Sequence, residues 1–198
     1  MLTIGICGAS GSGKSTLAQE LQKKVRGKVV LLTQDCYYRD HKHLPFEQRK
    51  RINYDEPTVF ENDQLLEDVR ALLQGRSITR KGYDFTNHCR ADSDEIIEPG
   101  DVLIIEGIHV FYDARLRELL QLKLYMSVDP DICLLRRVQR DINERGRDID
   151  GVAEQYMATV RPMYNQYIRG YVEHADLIVA GGGKNQMIVD ILASYLNG

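Results

Sequence analysis

Short apolar runs of strand length alternate along the chain with longer segments of helical period. Leu2–Cys7, Val29–Thr33, Val102–Ile105, Leu122–Val128 and Leu177–Ala180 read as strands buried on both faces. Lys14–Val25, Asn62–Leu73, Ala114–Leu120, Ile132–Glu144 and Asn185–Leu196 read as helices. In Asn62–Leu73, the residues Leu65, Leu66, Val69, Leu72 and Leu73 fall on one stripe, which marks a core-facing side. The alternation predicts an α/β fold: a mainly parallel five-stranded sheet with helices on both faces. Ligands of such a sheet belong beyond the carboxyl ends of its strands.

Two stretches break the pattern. Residues 76–99 hold two β-prone pieces and end at Pro99–Gly100, which predicts a small antiparallel hairpin projecting from the sheet. Cys36–Pro57 is irregular, with aromatics, three basic residues at 49–51 and the turn-forming Pro45 and Pro57. Both adjoin strands, where loops carry function.

Composition narrows the class. With 198 residues, 43% of them hydrophobic and 28% charged, the chain suits a single domain over 1–198 with a sizeable core, and disorder is excluded. A net charge of -3 gives no global attraction to nucleic acid or to anionic membrane. The four cysteines, Cys7, Cys36, Cys89 and Cys133, form no CxxC pair, which argues against a zinc or redox site and fits a reducing compartment. Neither a basic leader nor an apolar run of spanning length is present in the sequence. The expectation is a cytoplasmic protein without nucleic-acid or membrane partners.

Chemistry enters at residues 8–15. Gly8, Ala9, Ser10, Gly11, Ser12, Gly13, Lys14 and Ser15 fit GxxxxGK[ST] between a predicted strand and a predicted helix. Glycines let the backbone curl so that amide hydrogens converge on phosphate oxygens, and the following helix, through Thr16, presents its positive end. Lys14 is placed to reach the β- and γ-phosphates, and the Ser15 hydroxyl to ligate Mg²⁺. The strand Val102–Ile105 ends in Glu106, a second candidate for Mg²⁺. The strand Val29–Thr33 leads to Asp35, which reads equally as a proton acceptor beside a γ-phosphate or as a turn residue.

Several blocks together resemble the uridine kinase (uridine–cytidine kinase) family. They are the phosphate loop, TQDCYY (33–38), NYDEP (53–57), YDFTNHCR (83–90), DVLIIEGIHVF (101–111), RRVQRDINERGRD (136–148), Gln155 and GGGKN (181–185), spread over nearly the whole chain in the family's order. The resemblance implies a P-loop NTPase fold with a hairpin insertion (about 76–99) and a helical lid (about 131–170). It implies transfer of the γ-phosphate of ATP or GTP to the 5′-hydroxyl of a pyrimidine ribonucleoside, with Mg²⁺, in a homo-oligomer, a tetramer in relatives. It makes Asp35 the general base and Asp55 the ligand of the ribose hydroxyls. Tyr83, Phe85 and His88 become walls of the base pocket, and Ile108 an apolar contact. Arg137, Arg140, Arg145, Arg147 and Gln155 become substrate and phosphate contacts, and Gly182, Gly183 and Asn185 lie near the donor base.

Residue chemistry is compatible with this assignment. Tyr83 and Phe85 share a side of an extended segment and offer aromatic faces to a pyrimidine, although a half-buried hairpin face has the same pattern. Asp55 can accept two hydrogen bonds from vicinal hydroxyls, a geometry that selects ribose over deoxyribose. Glu56 departs from the family's usual NYDHP, and its carboxylate either raises the pKa of Asp55 or faces solvent. Arg137–Asp141 and Arg140–Glu144 are four apart, so surface ion pairs worth about a few tenths of a kcal/mol are one reading. The other is a lid: Arg145 and Arg147 flank Gly146, where the helix ends, and guanidinium groups on a closing lid meet charge on a migrating phosphoryl. Arg136 fits either. The competing readings are another small-molecule kinase of phosphoribulokinase or pantothenate kinase type, a nucleotide-dependent switch, for which no NKxD motif is found, and a non-catalytic nucleoside-binding protein.

Overall fold

In a computed structural model covering residues 1–198, the chain forms nine strands. These are β1 (Leu2–Gly8), β2 (Val29–Thr33), four short strands β3 (Ile78–Thr79), β4 (Tyr83–Asp84), β5 (Cys89–Arg90) and β6 (Ile96–Ile97), then β7 (Val102–Gly107), β8 (Leu122–Ser127) and β9 (Leu177–Ala180). The five long ones make one sheet in the order β2-β7-β1-β8-β9, all parallel. Every strand predicted from the sequence is present in it. The central strand β1 runs between β7, with Leu2 opposite Val102, and β8, with Ile4 opposite Leu122.

Alternation along these strands divides the core in two. Ile4, Ile6, Val102, Ile104, Leu122 and Leu124 face α1 (Lys14–Lys24). The C-terminal helix Gln186–Leu196 packs on that same side through Val189, Leu192 and Ala193. Cys7, Leu103, Ile105, Val30 and Leu32 face the other way, onto Leu65, Leu66, Val69 and Leu72 of the helix Asn62–Leu73. The predicted stripe of that helix is buried there, apart from the half-buried Leu73.

Residues 76–99 form two rungs of one hairpin, Ile78 opposite Ile97 and Tyr83 opposite Arg90. A paired Arg80 and Glu95, with nitrogen–oxygen distances of 2.7 and 2.8 Å, bridge the strands between the rungs. At the tip, the Asp84 carboxylate accepts from the amides of Thr86 and Asn87 at 2.9 and 3.0 Å. The turn leaves His88 with φ of 51°, the one non-glycine residue with positive φ.

The helix Pro130–Arg145 ends at Gly146 in the left-handed region, its N–H bonded to the Asp141 carbonyl. Helical structure continues beyond the helix Ile132–Glu144 read from periodicity, through Ile149–Gln155, a π-helical segment Tyr156–Val160, Arg161–Gln166 and a 3₁₀ segment Ile168–His174. The widened turn precedes Pro162, which has no N–H to continue an α-helical ladder. No helix is long and apolar enough to cross a membrane.

Candidate active site

The phosphate loop sits where β1 gives way to α1. Gly11 and Gly13 have φ of 83° and 93°, and a Cβ on either would collide with backbone: 2.2 Å from the Cys133 carbonyl oxygen and 2.7 Å from the Gly183 nitrogen. Only glycine serves at both positions. Lys14 is buried, its ammonium donating to the Ala9 carbonyl at 2.9 Å across the loop. The Ser15 hydroxyl donates to Glu106 Oε1 at 3.0 Å, joining the helix start to the end of β7. Burial pushes the Glu106 carboxyl up, against the nearby Lys14 charge. A hydroxyl and a carboxylate side by side at a phosphate loop suit a hard cation that takes its other ligands from phosphate and water. No cluster of three or more acidic, His or Cys side chains forms a protein-only metal cage.

The loop 181–183 packs against this cradle. Arg136 lies over Gly182, where a Cβ would stand 2.8 Å from its guanidinium. Arg136 therefore sits beside the phosphate loop and outside the cavity described below. Asn185 caps the C-terminal helix, its side chain accepting from the Ile188 amide at 3.4 Å.

Asp141 organises the arginines. Its fully buried carboxylate lies 2.8 Å from Arg140, 3.1 Å from Arg147, 3.5 Å from Arg145 and 3.6 Å from Arg137. Burial opposes the charge, but the surrounding guanidinium groups overcome it and hold the carboxyl below its usual range. The surface-pair reading fails here: Arg137 is buried, and Arg140 pairs with Asp141 while Glu144 is exposed. Arg137 also donates to Ser10 Oγ at 3.1 Å and to Gln155 Oε1 at 2.8 Å, and Arg147 donates to the same Gln155 oxygen at 2.6 Å. Ser10 thus ties the phosphate loop to the arginine group.

A cavity of about 480 Å³ opens beside them. Every acceptor-side residue expected from the sequence lines it: Asp35, Asp55, Tyr83, Phe85, His88, Ile108, Arg137, Arg140, Arg145, Arg147 and Gln155. Asp35 arrives on the 3₁₀ turn Gln34–Tyr37 directly after β2. The hairpin supplies Tyr83, Phe85 and His88. Burial, reinforced by Arg147, Arg49 and Arg145, pushes the His88 imidazole down to about 4, so the ring is neutral near pH 7.

Asp55 lies against the helical segment that follows the arginines gathered by Asp141. Its Oδ2 accepts from the Thr159 hydroxyl at 2.9 Å, and its Oδ1 stands 3.9 Å from Arg137. Burial raises the Asp55 carboxyl, Arg137 opposes that, and the contributing like charge is Asp35. Glu56, suspected from the sequence, is not among the leading causes.

Sequence reasoning missed three contributors. Tyr38 and Tyr54 also line the cavity, and the Tyr54 ring stacks on His88 with centroids 5.1 Å apart. The Tyr54 and Tyr83 hydroxyls are buried without a hydrogen-bond partner. Tyr54 stands between Asn53 and Asp55 in a block already singled out, and its place there was the available signal. Asp141 carried a signal too, four residues from both Arg137 and Arg145.

Comparison with known proteins follows the same lines. The family model described as Phosphoribulokinase / Uridine kinase family matches residues 3–188. The uridine kinases of Bacillus velezensis and Bacillus subtilis are each 44% identical over 196 residues, covering 98% of this chain and 93% of theirs. Among solved structures, a putative fructose transport system kinase from Silicibacter aligns with a TM-score of 0.69 at 21% identity, over 90% of this chain and 89% of that one. A possible uridine kinase from Bacillus stearothermophilus aligns with a TM-score of 0.61 at 17% identity, over 89% and 87%. These two likenesses speak for the fold. With its model match and its 44% identical relatives, the chain belongs to the phosphoribulokinase/uridine kinase family.

Proposed function

We propose that this protein is a uridine kinase, transferring the γ-phosphate of ATP to the 5′-hydroxyl of uridine or cytidine to give UMP or CMP. The observation that carries this reading is the cavity itself. One space of about 480 Å³ brings together two carboxylates, an aromatic wall and four arginines, and Ser10 joins it to the phosphate loop. The 44% identical relatives named uridine kinase support it, and membership of a kinase family implies ATP as co-substrate.

In this reading the pyrimidine lies between Phe85, Tyr83 and the stacked Tyr54–His88 pair. The Tyr54 and Tyr83 hydroxyls, buried without a well-formed hydrogen bond and close enough to influence each other, are available to its polar edge. Asp55 accepts from the ribose hydroxyls, and a substrate lacking one leaves a buried carboxylate unpaired. Asp35 takes the proton of the 5′-hydroxyl as its oxygen bonds to the γ-phosphorus and the bond to the β–γ bridging oxygen breaks. Lys14 and the arginines gathered by Asp141 meet the charge of the migrating group before it develops, which avoids reorganisation during transfer. Ser15 and Glu106 would hold Mg²⁺, which neutralises β- and γ-oxygen charge when bound.

The deciding assay incubates the protein with γ-labelled ATP, Mg²⁺ and a panel of uridine, cytidine, pantothenate and ribulose 5-phosphate. Label recovered in UMP or CMP is the expected result. Label in another acceptor, or only in inorganic phosphate, would overturn the reading.

A further inference from the structure

His109 is the chain's only buried histidine, 1% exposed, on the segment directly after β7. No step above uses it. Its ring is boxed by Phe60, Tyr112, Tyr167 and Tyr171, with centroids 5.8 to 6.3 Å away. Such a box would hold an apolar side chain at less desolvation cost. The polar atoms of the ring must therefore account for its presence.

Both nitrogens are engaged. Nε2 lies 2.7 Å from the Asp55 carbonyl oxygen, and Nδ1 lies 2.9 Å from the Tyr171 hydroxyl. A carbonyl oxygen only accepts, so Nε2 carries the hydrogen. In the neutral ring Nδ1 then accepts from Tyr171. The tautomer is thus assigned by the partners. The His109 backbone N–H donates to Gln34 Oε1 at 2.8 Å, and Gln34 immediately precedes Asp35. Three parts of the site meet at this residue: the turn carrying Asp35, the backbone of Asp55, and the segment following the arginine-bearing helices.

Asp55 needs such an anchor. It lies in an irregular stretch, where its N–H bonds to the Asn53 side chain at 3.1 Å and no strand ladder holds it. We propose that His109 is a positioning residue for the acceptor: its Nε2–H fixes the Asp55 backbone so that the carboxylate meets the ribose hydroxyls, and the Tyr171 hydroxyl, donating to Nδ1, holds the ring in the orientation that permits this. The inference rests on the reading of Asp55 as the ribose ligand. Removing the Tyr171 hydroxyl leaves the ring held at one nitrogen only, with Nδ1 unpaired in the aromatic box, and so loosens its hold on the Asp55 carbonyl.

The test compares wild type with His109→Leu, His109→Gln and Tyr171→Phe, measuring kcat and KM for uridine, 2′-deoxyuridine and ATP, with melting temperature alongside. His109→Leu and Tyr171→Phe should raise the uridine KM and shrink the preference for uridine over 2′-deoxyuridine about tenfold, leaving the KM for ATP within about twofold. His109→Gln, whose side-chain amide can donate to the same carbonyl, should restore most of the preference. A space-filling role predicts the opposite: unchanged preference in Tyr171→Phe, or Gln no better than Leu. Either result overturns the proposal. Should His109→Leu fail to fold, Tyr171→Phe decides alone, since it removes one oxygen. Wild type separates the two levels: no uridine phosphorylation sinks the kinase reading itself, whereas a discriminating wild type with equally discriminating variants sinks only the role of His109.

Discussion

The guanidinium carbon of Arg145 lies 4.0 Å from the centroid of the Phe85 ring. Arg145 ends the long helix, and Phe85 belongs to the hairpin, so the contact spans the mouth of the cavity. A partly desolvated cation over an aromatic face is worth about 0.5–2 kcal/mol. In the proposed reaction the same ring is both a wall for the base and a seat for a charge used in phosphoryl transfer. Phe85→Ala should therefore lower kcat as well as raise the uridine KM, while Phe85→Tyr keeps both near wild type. In a double-mutant cycle with Arg145→Ala, the losses in kcat/KM should fall short of additivity by about 1 kcal/mol. Fully additive losses would mean that the two side chains act independently.

Asp35 lines the cavity from the turn after β2, and its carboxylate makes no hydrogen bond or ion pair within the protein. A residue that capped a turn would be bonded to it. Freedom of this kind suits a proton acceptor. Asp35→Asn preserves shape and removes basicity, so turnover should drop about 10²- to 10⁴-fold while ATP affinity stays near wild type. Steady-state kinetics with calorimetric ATP titration checks both. Wild-type turnover in the variant would reduce Asp35 to a structural role.

Asp141 bears on stability and catalysis together. With its carboxylate gone, four guanidinium groups crowd one partly buried space in which the nearest remaining carboxylate, Asp55, stands 3.9 Å from Arg137. Breaking a buried ion pair by removing one partner costs about 3–5 kcal/mol. Asp141→Ala should thus lose several degrees of melting temperature, and Asp141→Asn somewhat less because its amide oxygen still accepts. Both should cut kcat more than they change ATP affinity, because the arginines lose their fixed arrangement. An Asp141→Asn protein with wild-type kcat would show that the arginines hold their places without it.

The five sheet strands were legible because each is apolar at nearly every position, although the edge strand β9, expected to be buried on both faces, leaves Leu177 and Ile178 exposed. The helices after Gly146 were not legible in the periodicity, and only the family resemblance implied helical structure there. Ile149–Gln155 buries only Val152, and Arg161–Gln166 buries nothing fully, so neither writes an apolar stripe into the sequence. The site divides in the same way. Asp35, Asp55, Lys14 and the hairpin aromatics stand in blocks whose residue types announce chemistry. Asp141 does not, since an acid four residues from an arginine reads as a surface pair until burial is known. His109 is harder still. Its partner Tyr171 is 62 residues away, and only the folded chain brings the hydroxyl to the ring.

Two histidines set the response to mild acid. Burial, as the first cause in each case, pushes His88 and His109 down to about 4 from an ordinary value of 6.5. The unfolded chain binds a proton at each near 6.5, and the folded chain resists until near 4. The stabilising contribution of the neutral rings is therefore complete above pH 6.5 and is lost progressively as pH falls toward 4. Asp141, depressed below 3.8, adds a further loss as pH falls below that value. Asp55 and Glu106 work the other way: their raised carboxyls take up protons in the folded state first, which partly offsets the loss. Melting temperature should decline between pH 6.5 and 4, and His88→Gln should flatten that decline, since it deletes one of the two largest proton uptakes, His41 and His174 being lowered as well. The uridine KM of the wild-type enzyme should show no inflection near pH 6.5, because the ring beside the base is already neutral there. An inflection at 6.5 that disappears in His88→Gln would show instead that His88 titrates as a solvated histidine, and the buried aromatic wall described for the base pocket would have to be open to water.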